Sequence, residues 1–242
     1  MNFTKILDGK NSSLKQTIIG LCINDGDYSL ADLSKELDTS IPTTTKLVGE
    51  LVEDGLLVEI GKLGTNGGRR PSIFGLNPSA GYFVGVDIRR KFIEFAITDF
   101  KGSLIDYHEK VEFSVQNSED SLRDMCRIIK KELAETGIDP KKILAYGFNL
   151  TGRVNNETGY CFSYFLGEDK IVSVLEAELG KPVYVENDSR AMTYGEYICS
   201  TSNGVKNMLF LNVSWGLGMG MIVDGKLSYG KSGYSGEIGH FP

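Results

Sequence analysis

Apolar positions in the first third of the chain recur at helical spacing. Leu14, Ile18, Ile19, Leu21 and Cys22 share one face, and Asp25-Gly26-Asp27 closes that helix. A second helix is expected over residues 30–37, with Ser29 as its N-cap and Asp32 in the first turn, where the helix dipole favours an acid. A third begins after Ser40 and carries Pro42 in its first turn, where a missing N–H costs nothing. It runs through Leu47, Val48, Leu51 and Val52 to Asp54-Gly55, after the tight turn Asp38-Thr39-Ser40. Strand-like stretches at 56–60 and 72–76 then flank a glycine-rich, basic hairpin tip, residues 61–71. Three short helices followed by a basic hairpin is the plan of a winged helix-turn-helix, which assigns residues 1–76 to a DNA-binding domain.

Asn77-Pro78-Ser79-Ala80-Gly81 is a turn-rich boundary, and the pattern changes beyond it. Strands at 82–87, 92–98 and 104–111 suit an antiparallel meander. An amphipathic helix over 118–136 follows, with Leu122, Met125, Cys126, Ile129 and Leu133 on one face. Buried strands and helices then alternate: strand 143–149, helix 171–179, strand 183–186, helix 188–198, strand 208–213. Residues 77–242 are therefore read as an α/β lobe of the actin and hexokinase type, ribonuclease-H-like, leading into the start of a second lobe.

On the third helix, 100° per residue puts Leu47, Val48 and Leu51 at the centre of the buried face with Thr44 beside them. Thr43, Thr45, Lys46 and Gly49 point outward. Small hydroxyl side chains and a lysine early in such a helix can meet base edges and phosphates. Arg69 and Arg70 on the hairpin tip can reach phosphates or a narrow minor groove. The alternative is a protein-docking winged helix whose outward threonines are merely solvated. Charge sharpens that choice: residues 1–76 hold eight basic against ten acidic residues, so a net charge of −2 demands concentrated basic groups and a dimeric mode of DNA binding.

Composition excludes broad classes. With 41% hydrophobic and 24% charged residues the chain is globular, and its net charge of −6 excludes an indiscriminate nucleic-acid binder. No apolar run is long enough for a bilayer span, and the start lacks the apolar core of a signal peptide. Cys22, Cys126, Cys161 and Cys199 form no C-x-x-C pair, which fits reduced thiols in a cytoplasm. Glycine is in excess, with eight between Gly216 and Gly239.

Three segments carry candidate chemistry. Glu186-Asn187-Asp188 falls where a buried strand ends and a helix begins. There an amide and a carboxylate can hold adjacent hydroxyls, or an aspartate can act as a general base. Asp188 could equally do no more than cap the helix. Residues 212–220, with alternate glycines, can bring backbone amides up to a phosphate, but a glycine-rich hairpin packed on a helix has the same pattern. Residues 233–240 bring Glu237 and His240 together near the end of the chain.

Taken in order after a winged helix, Gly67-Gly68-Arg69-Arg70-Pro71, Thr151-Gly152-Arg153-Val154-Asn155, Glu186-Asn187-Asp188 and Gly236-Glu237-Ile238-Gly239-His240 resemble the ROK family of repressors, open reading frames and kinases. The resemblance implies an actin-like domain that binds a sugar or sugar derivative, with Gly152, Arg153, Asn187, Asp188, Glu237 and His240 lining the pocket. It also implies that Asp188 matches the catalytic base of the family's kinases.

Two departures stand out. The kinases' Asp-x-Gly-Gly-Thr phosphate turn is here Asp87-Ile88-Arg89-Arg90-Lys91, and Ser214-Trp215 replaces their Gly-Thr. Bulky side chains remove the backbone cradle for ATP phosphates. Family members also continue past the Gly-His motif into a cysteine cluster that binds zinc with the histidine. Of that set only His240 is present, so a structural zinc is expected only in a longer chain. The expectation is thus a fragment of a cytoplasmic transcriptional regulator, most simply a non-catalytic repressor. Its partners are operator DNA, a carbohydrate effector and a second copy of the chain; an ATP-dependent sugar kinase with an attached winged helix is the alternative.

Overall fold

The computed structural model describes residues 11–62, 71–155, 158–162, 171–199, 205–214 and 216–240. The chain divides into two units, residues 1–82 with 98–105, and residues 83–97 with 106–242.

In the first unit α1 (Ser12–Asn24) buries Ile18, Ile19 and Cys22. A two-residue strand, β1 (Tyr28–Ser29), runs directly into α2 (Leu30–Glu36). Ser29 caps α2 as expected: its Oγ accepts from the Asp32 amide at 3.2 Å and donates to Asp32 Oδ2 at 2.6 Å. Asp38 takes φ 49° in the turn before α3 (Ile41–Glu53), a conformation that Asp tolerates better than most residues. Ser40 Oγ then accepts from the Thr43 amide at 3.3 Å. The buried residues of α3 are Thr44, Leu47, Val48 and Leu51, the face set by its 3.6-residue period.

Strands β2 (Leu57–Lys62) and β3 (Ser72–Leu76) pair antiparallel, and β1 joins the free edge of β3 to give the order β1-β3-β2. Periodicity could not reveal β1, because two residues carry no period. Asn77 closes the unit, donating from Nδ2 to the Gly55 carbonyl at 2.8 Å. The hairpin tip with Arg69 and Arg70 lies outside the described residues.

The second unit is built on β4 (Tyr82–Ile88), β5 (Phe92–Asp99) and β6 (Leu104–Glu112), followed by α4 (Glu119–Glu135) and β7 (Ile143–Leu150). A small antiparallel pair, β8 (Val154–Asn155) and β9 (Tyr160–Cys161), precedes α5 (Ile171–Leu179) and β10 (Val183–Asn187). The main sheet has the order β10-β7-β4-β5-β6, with β10 parallel to β7. An antiparallel meander extended by parallel strands is the α/β half of an actin-like, ribonuclease-H-like fold. Its core is written in β5, where Ile93, Phe95 and Ile97 alternate inward, and in α4, where Leu122, Met125, Cys126, Ile129 and Leu133 form the buried stripe.

Helix α6 (Asp188–Cys199) leads to a second sheet, β11 (Met208–Val213), β12 (Leu217–Val223) and β13 (Lys226–Leu227). Two of the alternate glycines of residues 212–220 have a packing role here. Gly218 and Gly220 lie within β12, opposite Asn212 and Phe210 of β11. A Cβ on Gly218 would collide with Ser189 Oγ, and one on Gly220 with Thr193 Oγ1. The glycines let α6 lie directly on the strand, which is the helix-packed hairpin. Among the described residues no helix is long and apolar enough to cross a membrane.

Candidate functional site

Residues from four separated segments meet at the C-terminal ends of β7 and β10. Parallel pairing sets Asn187 opposite Leu150, so the turn that follows β7 lies beside the start of α6. Gly152 occupies that turn with φ 91°, a conformation that favours glycine. Its carbonyl accepts from Asn187 Nδ2 at 2.8 Å. The other end of the same amide, Oδ1, accepts from the Arg190 amide at 3.0 Å, so Asn187 rather than Asp188 supplies the side-chain cap of the helix.

That arrangement releases Asp188. Its carboxylate is buried, and three donors converge on Oδ1: Asn187 Nδ2 at 3.0 Å, the Ser189 amide at 2.7 Å and Ser189 Oγ at 3.2 Å. Asn212 Nδ2 donates to Ser189 Oγ at 3.1 Å, tying β11 into the same network. Oδ2 accepts no hydrogen bond among the described residues. The carboxylate is fixed through one oxygen and offers the other as an acceptor.

Arg190 was not among the residues singled out from the sequence, yet it organises the site. Fully buried, it donates from Nε to Glu186 Oε1 at 2.7 Å, from one terminal nitrogen to the Gly233 carbonyl at 2.6 Å, and from the other to the Val154 carbonyl at 2.7 Å. A planar guanidinium with five fixed donors can join three backbone segments in this way; a lysine ammonium cannot reach them together. The only sequence signal for it was an arginine within an otherwise buried helix turn.

Gly233, tied in this way, begins the segment that carries Glu237. Arg153 Nε lies 4.0 Å from Glu237 Oε2, and its guanidinium sits 5.5 Å over the Tyr234 ring. Tyr234 in turn neighbours Phe162, with ring centroids 5.6 Å apart. Gly152, Arg153, Asn187, Asp188 and Glu237 are thus brought into one connected group. The backbone of His240 lies in the short turn Ile238–His240 that follows Glu237. No group of three or more His, Cys, Asp or Glu side chains among the described residues is placed to hold a metal ion, and the His240 side chain lies outside those residues.

The segment Asp87-Ile88-Arg89-Arg90-Lys91 makes a tight connection from β4 to β5, with the Arg89 amide donating to the Phe92 carbonyl at 3.0 Å. Arg89 folds back, and its guanidinium meets Asp87 Oδ2 at 2.6 Å. Asp87 Oδ1 is buried without a hydrogen-bond partner among the described residues. Burial pushes the Asp87 carboxyl above its ordinary value, Arg89 opposes the rise, and the charge of Asp188 adds to it. Trp215, in the second departure, lies outside the described residues.

The outward surface of α3 is equally specific. Thr43 and Thr45 are exposed, as is Lys46. Lys46 Nζ stands 3.9 Å from Glu50 Oε1, and Lys15 on α1 bonds Glu50 Oε2 at 3.0 Å. These cations draw the Glu50 carboxyl below its ordinary value, Lys15 foremost. The acidic second half of the helix is partly neutralised from within the unit.

Comparison with known proteins places this architecture. The sequence profile described as ROK family matches residues 83–242. The chain belongs to the ROK family. It is 28% identical over 243 residues to a protein named xylose repressor from Caldicellulosiruptor bescii, covering 96% of this chain and 60% of that one. Among solved structures it is similar to a ROK family transcriptional regulator described as a homologue of Escherichia coli Mlc, with TM-score 0.77 and 24% identity over 95% of this chain and 58% of the other. A ROK family glucokinase from Streptomyces griseus, solved with glucose and AMPPNP, matches over 66% of this chain and 50% of its own, with TM-score 0.56 and 27% identity. The chain spans about 60% of the length of the repressor it matches.

Proposed function

We propose that the chain is the DNA-binding and effector-sensing part of a transcriptional repressor. In this reading residues 1–76 form a winged helix-turn-helix with α3 as recognition helix. Thr43, Thr45, Lys46, Arg69 and Arg70 face DNA, and the remaining residues hold a sugar. The observation that carries the reading is the Asp188 carboxylate, immobilised through Oδ1 with Oδ2 uncommitted among the described residues, beside the amide of Asn187. Such a carboxylate can accept from a sugar hydroxyl, while the Asn187 amide, both of its protons already given to Gly152 and Asp188, holds it in place, and Tyr234 and Phe162 offer ring faces to C–H groups. The kinship with proteins named as repressors over nearly the whole chain supports the regulatory half of the reading.

Phosphoryl transfer from ATP is disfavoured here for a physical reason. The β4–β5 turn presents Arg89 clasped to Asp87 instead of bare amides, so a nucleotide's phosphates lack their backbone cradle. Sugar binding would act by its differential affinity for DNA-competent and DNA-incompetent arrangements of a homodimer bound to paired half-sites, in the cytoplasm where operator DNA is read. Gel-shift selection of an operator, followed by titration with pentoses and hexoses, tests it. A specific complex weakened by one sugar is expected. ATP-dependent phosphorylation of a sugar that vanishes in Asp188→Asn would establish the kinase instead.

A further inference from the structure

Hydroxyl contacts to base edges were the first expectation for α3, but the hydroxyl protons of Thr44 and Thr45 are already donated within the helix, which leaves them lone pairs alone for a base. Thr45 Oγ1 donates to the Ile41 carbonyl at 2.8 Å. This back-bond fixes χ1 and turns the γ-methyl away from the helix backbone. Thr44 is fully buried, and its Oγ1 donates to the Ser40 carbonyl at 3.3 Å and pairs with Thr39 Oγ1 at 2.9 Å. Thr43 Oγ1 pairs with Ser40 Oγ at 2.9 Å.

One row of the outward surface of α3 is apolar. Ile41, its first residue, is 54% exposed and contributes nothing to the core. Thr45 lies one turn further along the same row. The next position in that row is Gly49, where an added Cβ would meet no atom within 4 Å among the described residues. Glycine inside a helix costs about 1 kcal/mol relative to alanine, and no neighbour among the described residues requires it here. The row Ile41, Thr45, Gly49 is a methyl-bearing ridge that ends in a gap.

We infer that α3 reads DNA through thymine methyl groups, with the Ile41 side chain and the Thr45 methyl as the reading surface and Gly49 leaving room for close approach of the duplex. The inference rests on the winged-helix reading above and specifies its mode. In the major groove the C5-methyl is what distinguishes thymine by apolar contact. Burying one methyl is worth about a fourfold change in affinity.

The test uses the full chain and a duplex selected from a randomised pool by gel shift. Each thymine is then replaced singly by deoxyuridine, which removes only the methyl. We expect one or two thymines per half-site at which deoxyuridine weakens binding about fourfold. Ile41→Ala or Thr45→Ser should abolish that discrimination, whereas Thr45→Val, which keeps a methyl at that position, should still discriminate thymine from deoxyuridine. Tolerance of deoxyuridine at every position by the unmutated chain overturns the inference. So does loss of specific binding in Thr45→Val with retention in Thr45→Ser. Failure to select any sequence would instead sink the winged-helix reading on which it depends.

Discussion

Arg89 closes onto Asp87: two residues apart across the end of β4, their side chains meet at 2.6 Å. The pairing satisfies one carboxylate oxygen and leaves the other buried without a hydrogen-bond partner among the described residues. Asp87 therefore pays a desolvation cost that a single ion pair does not cancel.

Stability should carry the mark of that cost as a function of pH. The folded chain holds the Asp87 proton more tightly than the unfolded chain, whose carboxyl titrates near 3.8. Folding stability contributed by this group thus falls as pH rises above that value, and the penalty stays in place once the carboxyl is ionised in both states. Asp87→Asn should raise Tm at pH 7 and leave it nearly unchanged at pH 3, measured by thermal melts across that range. An Asn variant less stable at both values would contradict the account.

Arg190 supports the candidate site more than any residue on its rim. Replacing it by Ala or Met leaves Glu186 charged and the Val154 and Gly233 carbonyls without their donor, at a cost of about 3–5 kcal/mol in denaturant unfolding. Arg190→Lys should recover little, because an ammonium cannot span the three acceptors.

Two glycine-to-alanine changes should have opposite signs. Gly220→Ala forces a methyl into Thr193 Oγ1 and against the Ser189 carbonyl, so it should destabilise by about 1–3 kcal/mol. Gly49→Ala meets open space in a helix interior and should stabilise by about 1 kcal/mol. Chemical denaturation distinguishes the two directly. On the DNA-reading account, Gly49→Ala should also weaken operator binding while it stabilises the fold.

Thiol reactivity gives an independent check on packing. Burial pushes the Cys22 and Cys126 thiols up to about 11, and Cys161 is buried as well. Cys199 is exposed at the end of α6. Alkylation at neutral pH followed by mass spectrometry should modify Cys199 first and the other three only under denaturing conditions.

Much of this protein is legible from local rules. The N-caps at Ser29 and Ser40, the buried face of α3 and the alternation in β5 follow from periodicity and hydrogen-bond stereochemistry that act within a few residues. The placement of Asn187 and Asp188 where a strand gives way to a helix was legible from residue type and position, whereas Gly152, Arg153 and the pocket role of Glu237 stood out only through the family resemblance. Other features depend on partners distant in the chain. Whether Asp188 caps its helix was settled by the Asn187 amide, which bonds Gly152 from 35 positions away. Whether Gly218 and Gly220 cradle an anion or admit a helix depended on where α6 lies. That Arg190 joins three segments, and that the Thr45 hydroxyl is already spent on the Ile41 carbonyl, are facts of atoms converging in space. A one-dimensional pattern encodes which face a side chain turns toward its neighbours; only the packed structure determines which neighbours are there to satisfy its polar groups.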